Sequence, residues 1–400
     1  MKNDQNISLN IDDGEAYNDF YASVSVLFRI ASFILLISFL IYIVYSAFGS
    51  QDVFNYENFE YLVRNFALTL DEKRNDTVYS IRYNPDSSRS FAMIGNKLAL
   101  CGNSGISIYS ATGRLLCSDS FSFKNPTMLS SEKYALIYDS GNKDYVIYNS
   151  FTKVHSRSTD HPIRGASMSS DGSFALITSS DEYNSTVEVY NENFKLINRF
   201  NKSGYVVDVD IEDGRILVST VKNSSEPAYY ELEVVLYDLS EKQTVCTEYF
   251  ECSLPLACKM NSDGFAVICS NESILYNLSE DTSEVHAYKG AYVHDFEISN
   301  DQLVLILDAP SHELTYHLLA INNANDILYE YNIDEAIFDF VLLNNKSYVL
   351  SERGLCAYGD NSYSALLLEG AVNDCKLLVN NKQSLYLCMS TSAPLIDISE

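Results

Sequence analysis

Apolar and polar positions follow one short pattern that recurs along the chain. After a polar turn comes a five-residue apolar run: KLALC at 97–101, YALIY at 134–138, FALIT at 174–178, RILVS at 215–219, FAVIC at 265–269, LVLIL at 303–307, SYVLS at 347–351 and SLYLC at 384–388. Runs this short, bounded by turn residues, read as strands buried on both faces. The turns ahead of them include Asp171-Gly172, Asp213-Gly214, Asp263-Gly264, Asn300-Asp301, Asn344-Asn345 and Asn380-Asn381. All are residues that tolerate positive φ or bond their own backbone. Because the pattern repeats, Asp171-Gly172 reads as a hairpin turn and not as a cation site.

A second phrase follows the first at a near-constant interval: ISIYS 106–110, YVIYN 145–149, VEVYN 187–191, VVLYD 234–238, SILYN 273–277 and GLCAY 354–358. An outer strand comes next, as at Arg114-Leu115-Leu116, Lys195-Leu196-Ile197 and Asp326-Ile327-Leu328, and an alternating strand precedes, as at 206–211 and 293–298. Four short antiparallel strands recurring every ~40 residues predict an all-β chain folded as a β-propeller. The blades fall at 89–123, 124–160, 161–203, 204–251, 252–289, 290–335, 336–370 and 371–400. Eight blades are expected, with seven as the alternative because the 204–251 unit is long and the last is short. The last blade lacks an outer strand, and TVYSIRY at 77–83 is predicted to supply it, closing the ring and removing its open edges. A pair of β-sandwiches would not produce eight equivalent phrases, and a solenoid repeat would be shorter.

One segment departs from this pattern. IASFILLISFLIYIVYSAF, residues 30–48, contains no charge. At ~1.5 Å per residue it nearly crosses a ~30 Å hydrocarbon layer. It predicts one transmembrane α-helix over 23–49, between a disordered acidic tail at 1–22 and a connector at 50–76, with the propeller at 77–400. A buried core helix or a cleaved signal peptide fits less well, since the run is long, has no polar stripe and follows almost no basic region. Lys2 and Arg29 precede it and Arg64 follows, which favours a cytoplasmic N-terminus and an extracytoplasmic propeller. In the connector, Phe59, Leu62, Val63 and Phe66 fall at helical spacing and predict a short helix.

Charge and cysteine content narrow the partners. There are 54 acidic and 27 basic residues, for a net charge of −27, without clusters of Lys and Arg. Nucleic acid is therefore excluded as a partner. All nine cysteines lie beyond residue 100. Cys101, Cys269 and Cys388 share the fifth position of the strand phrase, where other blades carry Thr178, Ser219 and Ser351. Cys246, Cys252 and Cys258 lie close together, leaving open a disulfide from Cys252 to either neighbour; they lack the paired spacing of a zinc site.

Candidate chemistry is sparse. DVDIEDG at 208–214 departs from the spacing of a calcium loop. There is no H-E-x-x-H, G-x-S-x-G, phosphate loop or G-x-G-x-x-G. No catalytic, metal-binding or cofactor-binding residue is assigned, and no cofactor is expected. The candidate funnel-lining residues are the first-strand acids Asp208, Asp210, Asp295 and Glu297.

The Tyr-Asp/Asn turn after the third strand resembles the WD40-like and quinoprotein-like propeller superfamilies. With no Trp, the chain lacks the WD dipeptide and the Trp motif of quinone-binding propellers, so no redox cofactor is carried over. NPTMLSSEKYALIYDSGNKDYVIYN at 125–149 and PIRGASMSSDGSFALITSSDEYNSTVEVYN at 162–191 resemble a bacterial family of membrane-anchored propeller proteins known only as a domain of unknown function. That resemblance covers the membrane segment and the propeller and brings no catalytic residues. The expected role is a non-enzymatic interaction or scaffold module whose partner is another envelope protein or polymer. The alternative is a small-ligand sensor or enzyme using the acidic funnel.

Overall fold

The computed structural model describes residues 24–40, 56–74, 80–84, 90–223, 230–299, 301–308, 315–360, 362–366, 375–379 and 384–396. From Ser80 onward the strands form eight antiparallel four-stranded sheets, settling the blade number at eight. Seven sheets take their strands in chain order. Blade 4, for example, runs Tyr205–Glu212, Arg215–Asn223, Tyr230–Asp238 and Gln243–Cys252. The eighth combines Lys376–Val379, Leu385–Cys388 and Ser392–Ile396 with Ser80–Arg82 as its outer strand. Ser80 faces Pro394 and Arg82 faces Ser392 in this pairing, so the closure expected from TVYSIRY is the one formed.

There is no single core. Eight separate apolar clusters sit between successive blades, one at each of the eight junctions. This explains the nearly continuous apolar phrases: alternate residues of a second strand belong to different clusters. In Phe174–Thr178, Phe174 and Leu176 pack toward blade 2, whereas Ala175 and Ile177 pack toward blade 4. Full burial of one such large side chain contributes about 2 kcal/mol. The Tyr that ends a third strand lies across from the aromatic residue that begins the second. Phe174 stacks on Tyr190 at 4.6 Å between centroids, and Phe265 on Tyr276 at 4.7 Å.

The turns behave as hairpin chemistry requires. Asp213 and Gly214 both have positive φ, as do Asn344 and Asn345. Gly172 also does, at +97°, and the Asp171 carboxylate accepts the Ser173 N–H at 2.7 Å, which gives that acid a turn-forming bond.

Strand register corrects the expected equivalence of the cysteines. Cys269 pairs with Pro255, as Thr178 pairs with Ile163, Thr220 with Val206 and Ser351 with Ile337. Cys269 accordingly packs toward the preceding blade. Cys101 and Cys388 lie one residue out of that register and pack toward the following blade. Ser219 pairs with Asp208 and is likewise one residue out; Thr220 is the true counterpart of Thr178. A slip of one residue exchanges the two faces of a strand, so phrases that look alike can be aligned to the wrong junction. The open disulfide is also resolved: all nine cysteines are free. Cys252 and Cys269 instead pack side by side in one apolar cluster across the junction of blades 4 and 5.

The chain divides into the units Met1–Arg64 and Asn65–Glu400. Residues 24–40 are helical and exposed throughout. No helix among the described residues is long and apolar enough to cross a membrane. The rest of the expected span, 23 and 41–49, lies outside the described residues, as do the acidic tail and the turns at Asn300 and Asn380-Asn381. The connector helix is longer than expected, Tyr56–Arg74. Its predicted apolar face also differs: Leu62, Val63 and Phe66 are exposed, while Tyr61 and Leu68 are buried.

Candidate functional site

In each blade the first strand bonds on one side to the second and leaves its other edge free of strand pairing. At most junctions the first strands of successive blades pack side by side. Tyr205–Glu212 lies between Ile163–Met168 and Pro255–Met260, and Lys376–Val379 between Ile337–Leu343 and Ser90–Ile94. Buried edge N–H groups in such a ring need acceptors, because an unmet buried donor costs about 1–3 kcal/mol.

The sequence meets this need by a repeated device. In blades 3 to 7 the first strand carries a bulge, at Arg164, Val207, Leu256, His294 and Phe338. The residues just past it are therefore equivalent: Gly165, Asp208, Ala257, Asp295 and Asp339. The Asp208 carboxylate accepts the Cys258 N–H of the next blade at 3.1 Å, and Asp339 accepts the Leu377 N–H at 2.6 Å. Two residues further along, Asp210 accepts the Met260 N–H at 2.9 Å and Glu297 accepts the Leu342 N–H at 2.6 Å. Ser167 makes the same kind of bond with its hydroxyl, accepting from Ile211 at 3.3 Å. Two of the acids also hold lysines: Asp210 with Lys259 at 2.9 Å and Asp339 with Lys376 at 3.0 Å.

Burial pushes the carboxyls of Asp208 and Asp339 up, against the pull of Lys259 and the Cys258 N–H on the first and of the Leu377 N–H and Lys376 on the second. For Lys259, burial works downward, but the charges of Asp210 and Asp208 outweigh it and hold the ammonium above its ordinary range. Glu297 has no lysine. Burial raises it to about 7; the Leu342 N–H pulls it down, while the nearby carboxylates of Asp295 and Asp339 add to the rise.

Of the four acids singled out from sequence, Asp208, Asp210 and Glu297 thus bind the neighbouring blade. Asp295 bonds the Phe296 N–H next to it, at 2.9 Å. Asp339, Lys259 and Lys376 belong to the same network and were missed. The missed signal was the apolar-Asp-apolar triplet: Phe338-Asp339-Phe340 repeats Val207-Asp208-Val209 at the same place in its blade.

At the mouth where the first strands end lies a cavity of about 440 Å³, whose walls include Leu129, Met168, Asp210, Arg215, Lys259 and Met260. Its apolar walls and the Asp210–Lys259 pair could hold a small molecule with an apolar body and a charged end. Glu212, also on its wall, accepts the Ser170 N–H at 3.1 Å and the Ser170 hydroxyl. Among the described residues no group of three or more His, Cys, Asp and Glu is arranged to hold a metal ion.

The model of a family of unknown function (DUF5711) matches residues 71–391. No curated protein matches the chain. Among solved structures, the Dos1 propeller superposes with a TM-score of 0.54 at 9% identity, covering 79% of this chain and 93% of that one. Sqt1 of Saccharomyces cerevisiae gives 0.53 at 8% identity, covering 82% and 100%. BamB from Moraxella catarrhalis gives 0.51 at 11% identity, covering 80% and 99%. At such identities these likenesses concern the propeller fold alone.

Proposed function

The chain belongs to that family of unknown function, DUF5711, and from this premise we propose that it is a membrane-anchored propeller acting as a non-enzymatic protein-interaction or scaffold module. The observation that carries this reading is the use made of the inner acids. Asp208, Asp210, Glu297 and Asp339 spend their acceptor capacity on backbone N–H groups of the next blade, which stiffens a ring suited to presenting surfaces.

Anchoring is supported by the uncharged run at 30–48 and by helix 24–40, on which large apolar side chains stand exposed all round, from Val26, Leu27 and Phe28 to Phe39 and Leu40. A helix apolar on every side requires an apolar surrounding. The basic-residue bias supports a propeller on the outer face of a bacterial cytoplasmic membrane, where an envelope protein or polymer would be its partner. Protease treatment of intact cells tests the orientation: the propeller is expected to be cleaved without lysis, and cleavage only after lysis would reverse the assignment. Affinity capture from detergent-solubilised membranes tests the role, with a stoichiometric protein partner expected.

The 440 Å³ cavity favours a second reading, a small-ligand sensor. A rise in melting temperature with a small molecule, abolished by Lys259→Met and unaccompanied by any protein partner, would select it.

A further inference from the structure

The opposite mouth, where the first strands begin, differs in chemistry. Tyr205, Leu254 and Tyr292 occupy one equivalent position in three consecutive blades, each just ahead of the residue that precedes the bulge. All three are exposed, by 52%, 49% and 59%, and the bulge residue Leu256 is exposed beside them by 40%. The same position holds Pro162 in blade 3 and Ala336 in blade 7, so the apolar arc is confined to blades 4 to 6. Tyrosines that keep a free hydroxyl while offering a large ring are the residues that most often anchor protein interfaces. Nothing in the propeller's own packing requires large apolar side chains here, since the junction clusters of these blades are built from other residues.

The rim of the arc is acidic. Glu251, Asp334 and Glu352 are exposed and form no ion pair among the described residues. Arg353 is already held by Glu335 at 3.5 Å, and the exposed cations on this side are Lys289 and, at the bulge of blade 3, Arg164, whose Nε donates to the Ser179 hydroxyl. An apolar centre with an acidic border complements a segment that combines aromatic or aliphatic residues with Lys or Arg, and it repels acidic partners.

We propose that the arc formed by Tyr205, Leu254, Leu256 and Tyr292 is the docking surface for a basic, amphipathic segment of a partner protein. This deepens the reading of the propeller as an interaction module and rests on it. The surface lies at the mouth away from the cavity lined by Lys259 and Arg215, so the two sites can be separated experimentally.

The test selects a displayed library of random dodecapeptides against the full chain in detergent, then measures the enriched peptides on the native chain and on the double variant Leu256→Ser/Tyr292→Ser. Both substituted residues are solvent-exposed, and an unchanged melting temperature verifies that the variant is folded. Enriched peptides are expected to carry Lys or Arg next to aromatic or aliphatic residues, to lose at least about tenfold in affinity on the double variant, and to weaken as salt is raised. Peptides that bind the variant equally well would overturn the docking surface while leaving the module reading in place. Acidic enriched peptides would also overturn it. If no peptide is enriched at all, the docking surface is overturned, while the module reading stands or falls on the affinity capture. Self-association of the native chain that disappears in the double variant would instead assign the arc to a second copy.

Discussion

The carboxylate of Asp208 accepts the backbone N–H of Cys258, and three blades later Asp339 makes the equivalent bond to Leu377. The two bonds join first strands that share no strand pairing, and each lies just past a bulge. The bulge tips the carboxylate toward the following blade, where it meets an edge donor that would otherwise be unmet. The acidity of the first strands is thus partly a solution to a folding problem created by stacking open-edged sheets in a ring.

Replacing Asp339 by Ala should therefore destabilise the protein by about 1–3 kcal/mol, because the Leu377 N–H loses its acceptor and Lys376 its counter-charge. Asp339→Asn keeps an acceptor and should cost less. Combined with Asp208→Ala in a blade with no shared partner, the losses should add to within about 0.5 kcal/mol. Urea titrations followed by circular dichroism measure these differences, and a loss below the additivity error for Asp339→Ala would remove the clamp as a source of stability.

Glu297 predicts a pH dependence of unusual sign. Its carboxyl is raised to about 7 in the folded chain, above the ordinary range for a glutamate of about 4.3. The folded state therefore holds a proton that the unfolded state has released across that window, and stability falls as pH rises through it. Glu297→Gln keeps an oxygen for the Leu342 N–H but cannot ionise beside Asp295 and Asp339. Its melting temperature should exceed that of the native chain at pH 8 and approach it near pH 5. A difference that stays constant with pH would show that Glu297 titrates elsewhere.

Much of the fold was legible because burial against a neighbouring blade on each face imprints a nearly continuous apolar phrase on every second strand. The strand crossing from residues 80–82 to the last blade was legible too, since that blade visibly lacked a fourth strand. Register was harder. KLALC and FAVIC look alike, yet Cys101 and Cys269 face opposite junctions, because strands buried on both faces carry no polar residue to mark which side is which. The site was only half legible for a related reason. Alternation drew attention to Asp208 and Glu297, but their N–H partners are backbone groups of another blade, which no side-chain motif announces. Lys259 and Asp210 come together across 49 residues of chain through the bulge, a feature with no sequence mark of its own.

The hairpin glycines make a contrasting pair. A Cβ on Gly214, at φ +71°, would meet nothing within 4 Å, whereas one on Gly172, at φ +97°, would lie 2.6 Å from the ring of Tyr134 in the preceding blade. Gly214→Ala should cost about 1 kcal/mol, the ordinary strain of a left-handed residue. Gly172→Ala should cost more, since Tyr134 is buried and cannot swing away. Pairing it with Tyr134→Ala should recover part of the difference, and equal losses for the two single variants would contradict the steric argument.

Closure gives the last expectation. Ile81 is fully buried in the cluster that joins blades 8 and 1, and the single proton of the Tyr83 hydroxyl is shared between the carbonyls of Met389 and Ser392, the second at 2.8 Å. Ring closure thus hangs on a strand of three residues, Ser80–Arg82, taken from the far end of the chain. Ile81→Ala should cost about 2–5 kcal/mol by opening a cavity at the junction, and Tyr83→Phe about 1 kcal/mol by removing the hydrogen bonds. Deleting residues 1–84 has a different consequence, because it bares the edge of Ser392–Ile396 that Ser80–Arg82 covers. An uncovered edge pairs with whatever strand it meets, so the truncated propeller should self-associate in size-exclusion chromatography where Tyr83→Phe remains as the native chain. A truncated chain with native elution and native melting temperature would mean that the seven sheets built in chain order close the ring without the borrowed strand.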